Sequence, residues 1–551
     1  MIAKEYKRVT YTDNCMGCYA CEVACKQEHH FPVGTRWTRV YPDIREAGGK
    51  WRFTYVVTEC HRAATPPCTA ACPGGLDAWR YVQLSTVGRF EEALEVIRKT
   101  TAFARVLGYV CTRPCEASCE RGNIDIPISI RSMKAFLADY EAKAGLEKAT
   151  PVKKTKKDKV AIVGAGPGGL SCAYDLVRLG YPVTVFEASS KAGGLMRWGI
   201  PEFRLPRKII DSEISYIEEL GAEIKTNTPI KALDDLFKEG YKAIYLATGC
   251  PVNLKLGIPN EDAEGIIYVL DFLKRVSSGA DVKLGNRVAV IGGGNAAVDA
   301  ARVAKRQGAK EVYIVCLESK DLACKDRMLA QEHEIQEAEK DGVVIHPCLG
   351  PREFTVKDGK VTGFETMACT SVREEDGRFL PKYGSSAGAV EADTVIVAIG
   401  QAVDKEAFKE IDKDRTIKVD GLSFATNREG VFAGGDVVSG PSDIIGAVGA
   451  AKEAAISIDR YLRGVDTRED RIINFRLING APLERNTSRG VVATLDEKLA
   501  IVEARRCLNC GTCEAGLDIG KQPACASACP AHAIYFHDMW PLTPKEVMYK
   551  L

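Results

Sequence analysis

Four cysteines near the start of the chain stand at a spacing that could hold iron. Cys15, Cys18, Cys21 and Cys25 form C-x2-C-x2-C-x3-C within NCMGCYACEVACKQ. In such a run three thiolates hold one [4Fe–4S] cube and the fourth reaches a second cube, so a twin run is required. RCLNCGTCEAGLDIGKQPACASACP, residues 506–530, supplies it: Cys510, Cys513, Cys525 and Cys529 form C-x2-C-x11-C-x3-C followed by proline. One two-cluster module is therefore split, with the rest of the chain inserted between its halves.

Further cysteines lie between the runs: Cys60, Cys68, Cys72, Cys111, Cys115, Cys119 and Cys507. Secreted disulfide scaffolds are small and loop-rich, and this chain of 551 residues is neither. Clustered cysteines in a large chain read instead as iron–sulfur ligands. The other six (Cys172, Cys250, Cys316, Cys324, Cys348 and Cys369) are scattered and read as small buried hydrophobes. No C-x-x-C lies among them, which argues against a redox disulfide.

Two glycine-rich turns carry the second kind of chemistry. KVAIVGAGPGGLSCAYDLVRLGYPVTVFEA, residues 159–188, reads as strand, turn, helix and strand. Gly164 makes the tight turn, Gly166 lets the backbone approach a pyrophosphate at the helix start, and Gly169 lets helix and strand pack closely. Glu187 follows at the distance expected of an acid that accepts hydrogen bonds from a ribose. RVAVIGGGNAAVDAARVAKRQGAKEVYIVCLES, residues 287–319, repeats the pattern with Gly292, Gly294 and Ala297, its second strand expected to end at Leu317–Glu318. Two such units imply two dinucleotides, typically a flavin and a nicotinamide. TVIVAIG (394–400) reads as a buried strand. GVFAGGDVVSGPSDIIGAVGAAKEAA (430–455) reads as a strand, a Gly-Gly-Asp turn and a helix from about Ile444, whose N-terminus would stabilise charge on a reduced flavin. Asp436 either serves that cofactor or only shapes its turn.

The elements that must position these groups follow from composition and pattern. The length suggests roughly three to four domains. A net charge of +1 gives no basic excess for nucleic acid or an anionic membrane. The N-terminus has no apolar signal core and no run is apolar enough to span a bilayer, so a cytoplasmic chain is expected. WRFTYVVTEC reads as a strand and FEEALEVIRKT as an amphipathic helix. KATPVKKTKKDK reads as a solvated linker, or alternatively a docking patch. From Val160 to about Leu462, short apolar strands alternate with helices, an α/β signature.

On the motifs VGAGPGGL, KAGGLMRWGIPEFRLPR, YLATG, VIGGGNAAVDAAR, VIVAIGQ and VFAGGDVVSGPSDIIGA, residues 60–465 resemble the small subunit of NADPH-dependent glutamate synthase and the matching half of dihydropyrimidine dehydrogenase. The two end runs, with the Cys68 and Cys72 motif, resemble iron–sulfur electron-transfer subunits of molybdenum and tungsten enzymes of the dimethyl-sulfoxide reductase type. The resemblance implies an α/β fold with two Rossmann-like domains, the NAD domain inserted in the FAD domain. A helical iron–sulfur domain precedes them, and a ferredoxin-like module is split between the termini. The expected boundaries are 1–59 and 501–551 for the ferredoxin halves, 60–147 for the helical domain, 148–158 and 466–500 for linkers, 159–285 and 391–465 for the FAD domain, and 286–390 for the NAD domain.

The same resemblance implies FAD on Gly164, Ala165, Gly166, Gly169, Glu187, Gly194, Leu195, Arg204, Gly435, Asp436, Ile444 and Ile445. It implies NAD on Gly292, Gly294, Asn295, Ala297, Glu318 and Gly400. By its crossed ligand logic Cys15, Cys18 and Cys21 pair with Cys529, and Cys510, Cys513 and Cys525 with Cys25. Two middle clusters are implied, one on Cys60, Cys68 and Cys119, the other on Cys72, Cys111 and Cys115. Each is one ligand short: Ala63 stands where the family has a cysteine, and Lys134 stands where dihydropyrimidine dehydrogenase has a glutamine, although a protonated lysine has no lone pair for iron. Cys507 is available to complete one of them; a His61 ligand, a three-iron cluster or an absent cluster are the alternatives.

The expected function is an FAD- and [4Fe–4S]-containing NADH:acceptor oxidoreductase subunit with about four clusters. It would pass electrons between NAD(H) and a partner, either a tungsten or molybdenum aldehyde or acyl-CoA oxidoreductase or a ferredoxin. The cofactors carry the chemistry, so no protein acid, base or nucleophile is required. A glutamate synthase small subunit and a non-catalytic electron-wire subunit are the competing readings. NADH is expected over NADPH because NADPH-using relatives carry Tyr-Arg-Arg-Ser where this chain has Cys316-Leu317-Glu318-Ser319. A carboxylate suits a free 2′-hydroxyl and repels a phosphate, although Lys320 stands close enough to soften that repulsion.

Overall fold

The computed structural model describes residues 66–123, 126–145, 148–321, 323–375, 377–469, 471 and 495–507, with the backbone of strands Tyr6–Thr10, Arg39–Ala47, Lys50–Thr58 and Ile534–Asp538. The chain divides into two units, one of Met1–Ile97, Cys115–Met133 and Leu495–Leu551, the other of Arg98–Pro114 and Lys134–Thr494.

In the first unit the two ends of the chain meet. Tyr6–Thr10 pairs antiparallel with Ile534–Asp538, Tyr6 opposite Asp538 and Thr10 opposite Ile534. Arg39–Ala47 and Lys50–Thr58 form a hairpin, of which the sequence had suggested only the second strand. The helix Ala78–Ser85 is capped by Asp77, which accepts the Arg80 N–H at 3.1 Å, and it buries Trp79, Tyr81, Val82 and Leu84. The helix Glu497–Arg505 is capped in the same way by Asp496, which accepts the Leu499 N–H at 2.8 Å. Its Ala500 and Ala504, four residues apart and so on one face, are fully buried where the helix packs on Ala78–Ser85.

The second unit holds two five-stranded sheets in which every pairing is parallel. The first runs Val431–Ala433, Tyr241–Leu246, Lys159–Val163, Val183–Phe186, Glu223–Lys225. Its central strands are continuous apolar runs because helices cover both faces. The helices Pro167–Arg178 and Ile444–Leu462 pack against one another. The second sheet runs Val344–His346, Glu311–Val315, Arg287–Ile291, Thr394–Val397, Ile266–Tyr268.

The second sheet draws two strands from outside residues 286–390. Thr394–Val397, which sequence reasoning grouped with the flavin domain, lies beside Arg287–Ile291 with Val288 opposite Thr394. All four of its residues are buried, which needs a neighbour on either side. The strand Glu311–Val315 ends earlier than expected, so Leu317 and Glu318 belong to the connection after it. Leu349–Lys357, Lys360–Arg373 and Phe379–Glu391 add a three-stranded antiparallel sheet. No helix among the described residues is long and apolar enough to cross a membrane.

Candidate functional site

The first glycine turn has the backbone that a dinucleotide fold requires. Gly164 adopts φ 106°, and a Cβ there would meet Ala247 O at 2.4 Å. A Cβ on Gly169 would lie 1.9 Å from Gly164 O, so helix and turn touch because both residues lack side chains. Gly166 is the residue before the helix Pro167–Arg178, and no side chain caps that helix. Its first N–H groups therefore face a position suited to an anion. Gly194 comes in against the same place, its Cβ position 2.7 Å from Gly166 Cα, and Leu195 starts the next short helix. Glu187 is buried immediately after its strand, its Oε2 accepting the Ala165 N–H at 2.9 Å and its Oε1 the Ser189 N–H at 2.7 Å. Two bonds from the backbone aim this carboxylate across the turn.

On the far side of the same sheet, Gly435 precedes the short helix Asp436–Ser439 at φ 75°. Burial, with Asp443 adding its charge, pushes the Asp436 carboxyl up to about 7. The helix at Ile444 begins where the sequence places it. Asp443 caps it by accepting the Gly446 N–H at 2.8 Å, and its other oxygen accepts the Thr112 hydroxyl at 2.6 Å. Ile444 and Ile445 remain among the N–H groups that a helix start leaves without an intrahelical partner. The turns at 164–169, 187, 194–195 and 435–445 thus bring backbone donors and acids around one end of the first sheet, a cradle whose donor set fits FAD.

Arg204, which the resemblance places on FAD, is held in two ion pairs. Its guanidinium pairs with Asp299 at 2.5 Å and with Glu334 at 2.5 Å. Burial opposes its charge, and the two carboxylates more than offset that, holding the pKa above its usual value. Nothing in the sequence pointed to these partners.

The second turn repeats the first. Gly292 has φ 139°, and its Cβ position lies 2.2 Å from Ala398 O. Gly294 precedes the helix Asn295–Arg306, which again has no side-chain cap. Ala297 is fully buried. Asn295 Oδ1 accepts the Gln331 N–H at 2.8 Å, so that side chain already holds a neighbouring loop. Gly400 lies past the adjacent strand at φ 125°. Glu318 is buried, with Oε2 at 2.5 Å from the Cβ position of Gly293. Lys320 pairs with Glu339, which draws its charge away from Glu318. Burial, with the Glu318 carboxylate adding to it, pushes the neighbouring Cys316 thiol up, away from the thiolate form that redox chemistry uses.

Of the six scattered cysteines, Cys172, Cys250, Cys316 and Cys369 are buried as expected, but Cys324 is half-buried and Cys348 is exposed. Cys348 stands at φ 58°, its N–H donating to Glu318 O at 3.1 Å and its carbonyl accepting from Cys369, and the side chain is left outside.

Among the cluster ligands implied by the resemblance, Cys68, Cys72, Cys111, Cys115, Cys119 and Cys507 are described. Cys15, Cys18, Cys21, Cys25, Cys60, Cys510, Cys513, Cys525 and Cys529 lie outside the described residues, as does His61. In the first unit Cys68, Cys119 and Cys507 line one cavity, a soft donor set that fits an iron–sulfur cluster. Cys72 and Cys115 belong to the same unit. Cys111, in the other unit, ends the helix Ala104–Val110, and its Sγ accepts the Arg113 N–H at 3.5 Å. Lys134 is buried.

Two parallel sheets, each with a glycine turn, an uncapped helix start and a buried acid after the neighbouring strand, define a reductase that binds two dinucleotides. Residues 158–454 match the pyridine nucleotide-disulphide oxidoreductase family, and residues 54–146 match dihydropyrimidine dehydrogenase domain II, 4Fe-4S cluster. The chain belongs to the pyridine nucleotide-disulphide oxidoreductase family. It is 39% identical over 433 residues to the NADP(+)-dependent formate dehydrogenase subunit beta of Moorella thermoacetica, covering 72% of this chain and 60% of that one. It is 34% identical to the NADPH-Fe(3+) oxidoreductase subunit beta of Geobacter sulfurreducens, with 72% and 64% covered. The NAD-dependent dihydropyrimidine dehydrogenase subunit PreT of Escherichia coli is 33% identical, with 74% and 92% covered. The chain thus spans less than two thirds of the length of the first two relatives.

Proposed function

We propose that this chain is an FAD- and [4Fe–4S]-containing NADH:acceptor oxidoreductase subunit. It would exchange hydride between NAD(H) and FAD and relay single electrons through its clusters to a partner redox enzyme or a ferredoxin. The observation that carries the reading is the pair of dinucleotide turns within one unit, each with its acid folded over it: Glu187 at Ala165 and Glu318 at Gly293. FAD, when bound, supplies the step between two-electron and one-electron chemistry. The chain's own groups orient it, with Glu187 at a ribose, the start of the helix Pro167–Arg178 at a pyrophosphate, and Asp436 and Ile444–Ile445 at the opposite end.

That the similar proteins are named as subunits supports a role inside a larger complex. Their names divide between NADP(H) and NAD, and the buried Glu318 carboxylate supports NAD here. A tungsten or molybdenum aldehyde or acyl-CoA oxidoreductase is the partner class suggested by the end runs alone. The purified full chain, given NADH and a one-electron dye, should reduce the dye without a partner. No reduction with either nicotinamide would leave the electron-wire reading in its place.

A further inference from the structure

Cys507 lies far beyond the segment that matches dihydropyrimidine dehydrogenase domain II, yet it lines a cavity with two cysteines from that segment. Cys68, Cys119 and Cys507 share walls with Trp79, Ile128 and Arg121. The placement is built rather than incidental. Cys507 follows the helix Glu497–Arg505, its N–H donating to Ala504 O at 3.0 Å. Glu503 accepts the Ser129 N–H at 2.8 Å and both its oxygens accept Arg506 Nη1 at 2.8 Å. Arg121 donates to Arg506 O at 3.3 Å, and Arg505 to Thr86 O at 3.4 Å. With Ala500 and Ala504 buried beneath, the helix end is held on both its apolar and its polar side.

Three thiols gathered between an indole, an isoleucine and a guanidinium form a soft, partly apolar donor set with one cation beside it. Such ligands select iron–sulfur clusters or zinc. Among the described residues no three His, Cys, Asp or Glu side chains converge tightly enough to hold a single ion. A four-iron cube is wider than an ion and bonds each thiolate to a separate iron, so a cavity lined by three thiols is the kind of site that it takes. The thiolates would put negative charge beside Arg121, which is placed to offset it.

We propose that Cys507 is a ligand of the [4Fe–4S] cluster held by Cys68 and Cys119, and that this bond fastens the C-terminal segment to the helical iron–sulfur unit. The inference rests on the reading that this unit carries a cluster at all. It has a geometric consequence. Cys510 follows three residues later, and three residues span at most about 11 Å between Cα atoms. A cluster on Cys507 and a cluster on Cys510 are therefore neighbours through the chain itself, however the rest of the C-terminal run folds.

The test is made on the full chain, prepared without oxygen, as wild type, Cys68→Ser and Cys507→Ser. Iron, acid-labile sulfide and the EPR spectrum of the reduced protein are measured, with FAD content as a check that the dinucleotide unit is intact. The expected result is that both variants lose or convert the same cluster signal, each with loss of about one to four iron atoms. Iron and spectrum unchanged in Cys507→Ser but altered in Cys68→Ser would overturn the assignment of Cys507. Both variants unchanged would overturn the cluster reading of the cavity itself. Thiol alkylation of the wild type keeps the proposal testable if a variant does not fold. Cys68, Cys119 and Cys507 should be protected together and become reactive together once iron is stripped, while exposed Cys348 reacts throughout. Labelling of Cys507 with the clusters intact would refute its role.

Discussion

The Glu318 carboxylate lies over Gly293 of the second glycine turn: a Cβ at that glycine would stand 2.5 Å from Glu318 Oε2. A side chain at 293 would displace the acid, and a phosphate on the adjoining ribose would meet its charge. Lys320, two residues along the chain from Glu318, is paired with Glu339. NADH should therefore be preferred over NADPH by at least about tenfold in kcat/KM, which is about 1.4 kcal/mol. Replacing Leu317 and Glu318 together with arginine should narrow or reverse the preference. Equal rates with both cofactors in the unmodified chain would sink this account of Glu318.

How much of this was legible depended on whether a local steric rule was at work. Gly164, Gly169 and Gly292 could be read because each has a backbone carbonyl where a side chain would go. Glu187 could be read because an acid after the second strand reaches back to the turn. The strand Phe379–Glu391 could not, because its residues are exposed on both faces and show no alternation. Thr394–Val397 was legible as a strand but not as to its sheet, since an apolar run carries no mark of its neighbours. The partners of Arg204 come from distant segments, and only folding puts Asp299 and Glu334 beside it. Docking of the helix Glu497–Arg505 was invisible for the same reason.

The pairing of Tyr6–Thr10 with Ile534–Asp538 brings together the segments that flank the two terminal cysteine runs. If those runs share ligands, Cys25→Ala should damage the cluster held by Cys510, Cys513 and Cys525. Deleting residues 508–551, which leaves Cys507 in place, should remove the EPR signal of the N-terminal run as well. An N-terminal signal that survived the deletion would show that the runs do not share ligands. Four cubes predict about 16 iron atoms per chain, and about 8 would mean that the middle cysteines hold none.

Glu213 supplies a stability prediction. The helix Ala104–Val110 has no side-chain cap of its own. Glu213, from the helix Arg207–Leu220, takes its place, accepting the Arg105 N–H at 2.6 Å and the Val106 N–H at 3.1 Å. Burial pushes this carboxyl up to about 7, against the pull of Arg98 and the two N–H groups. The folded-state pKa lies above the unfolded one. The contribution of Glu213 to stability is therefore full below about pH 4.5 and is lost as pH rises through about 7. Thermal unfolding of Glu213→Gln should show a flatter pH dependence over that window than the wild type. Parallel profiles would mean that the carboxylate stays charged throughout.

Arg204 separates a structural role from a flavin-binding one. It joins the segment after the first glycine domain to Asp299 on the helix Asn295–Arg306 and to Glu334, both buried. Glu334 also has Arg302 at 3.3 Å and His333 at 3.2 Å, whereas Asp299 Oδ1 has no hydrogen-bond partner among the described residues. Removing the guanidinium would strand Asp299 first. Breaking one side of a buried ion pair costs about 3–5 kcal/mol, so Arg204→Gln should destabilise the chain by roughly the lower figure, Glu334 keeping its other partners. Asp299→Asn added to Arg204→Gln should recover part of that loss, because the uncompensated charge is gone and contacting residues are not additive. A residue that holds FAD directly would behave differently. Arg204→Gln would then release flavin with little change in denaturant midpoint, and Asp299→Asn would restore nothing. Measuring FAD content and the denaturant midpoint on the two single variants and the double variant distinguishes these outcomes. Loss of flavin without loss of stability would defeat the ion-pair account.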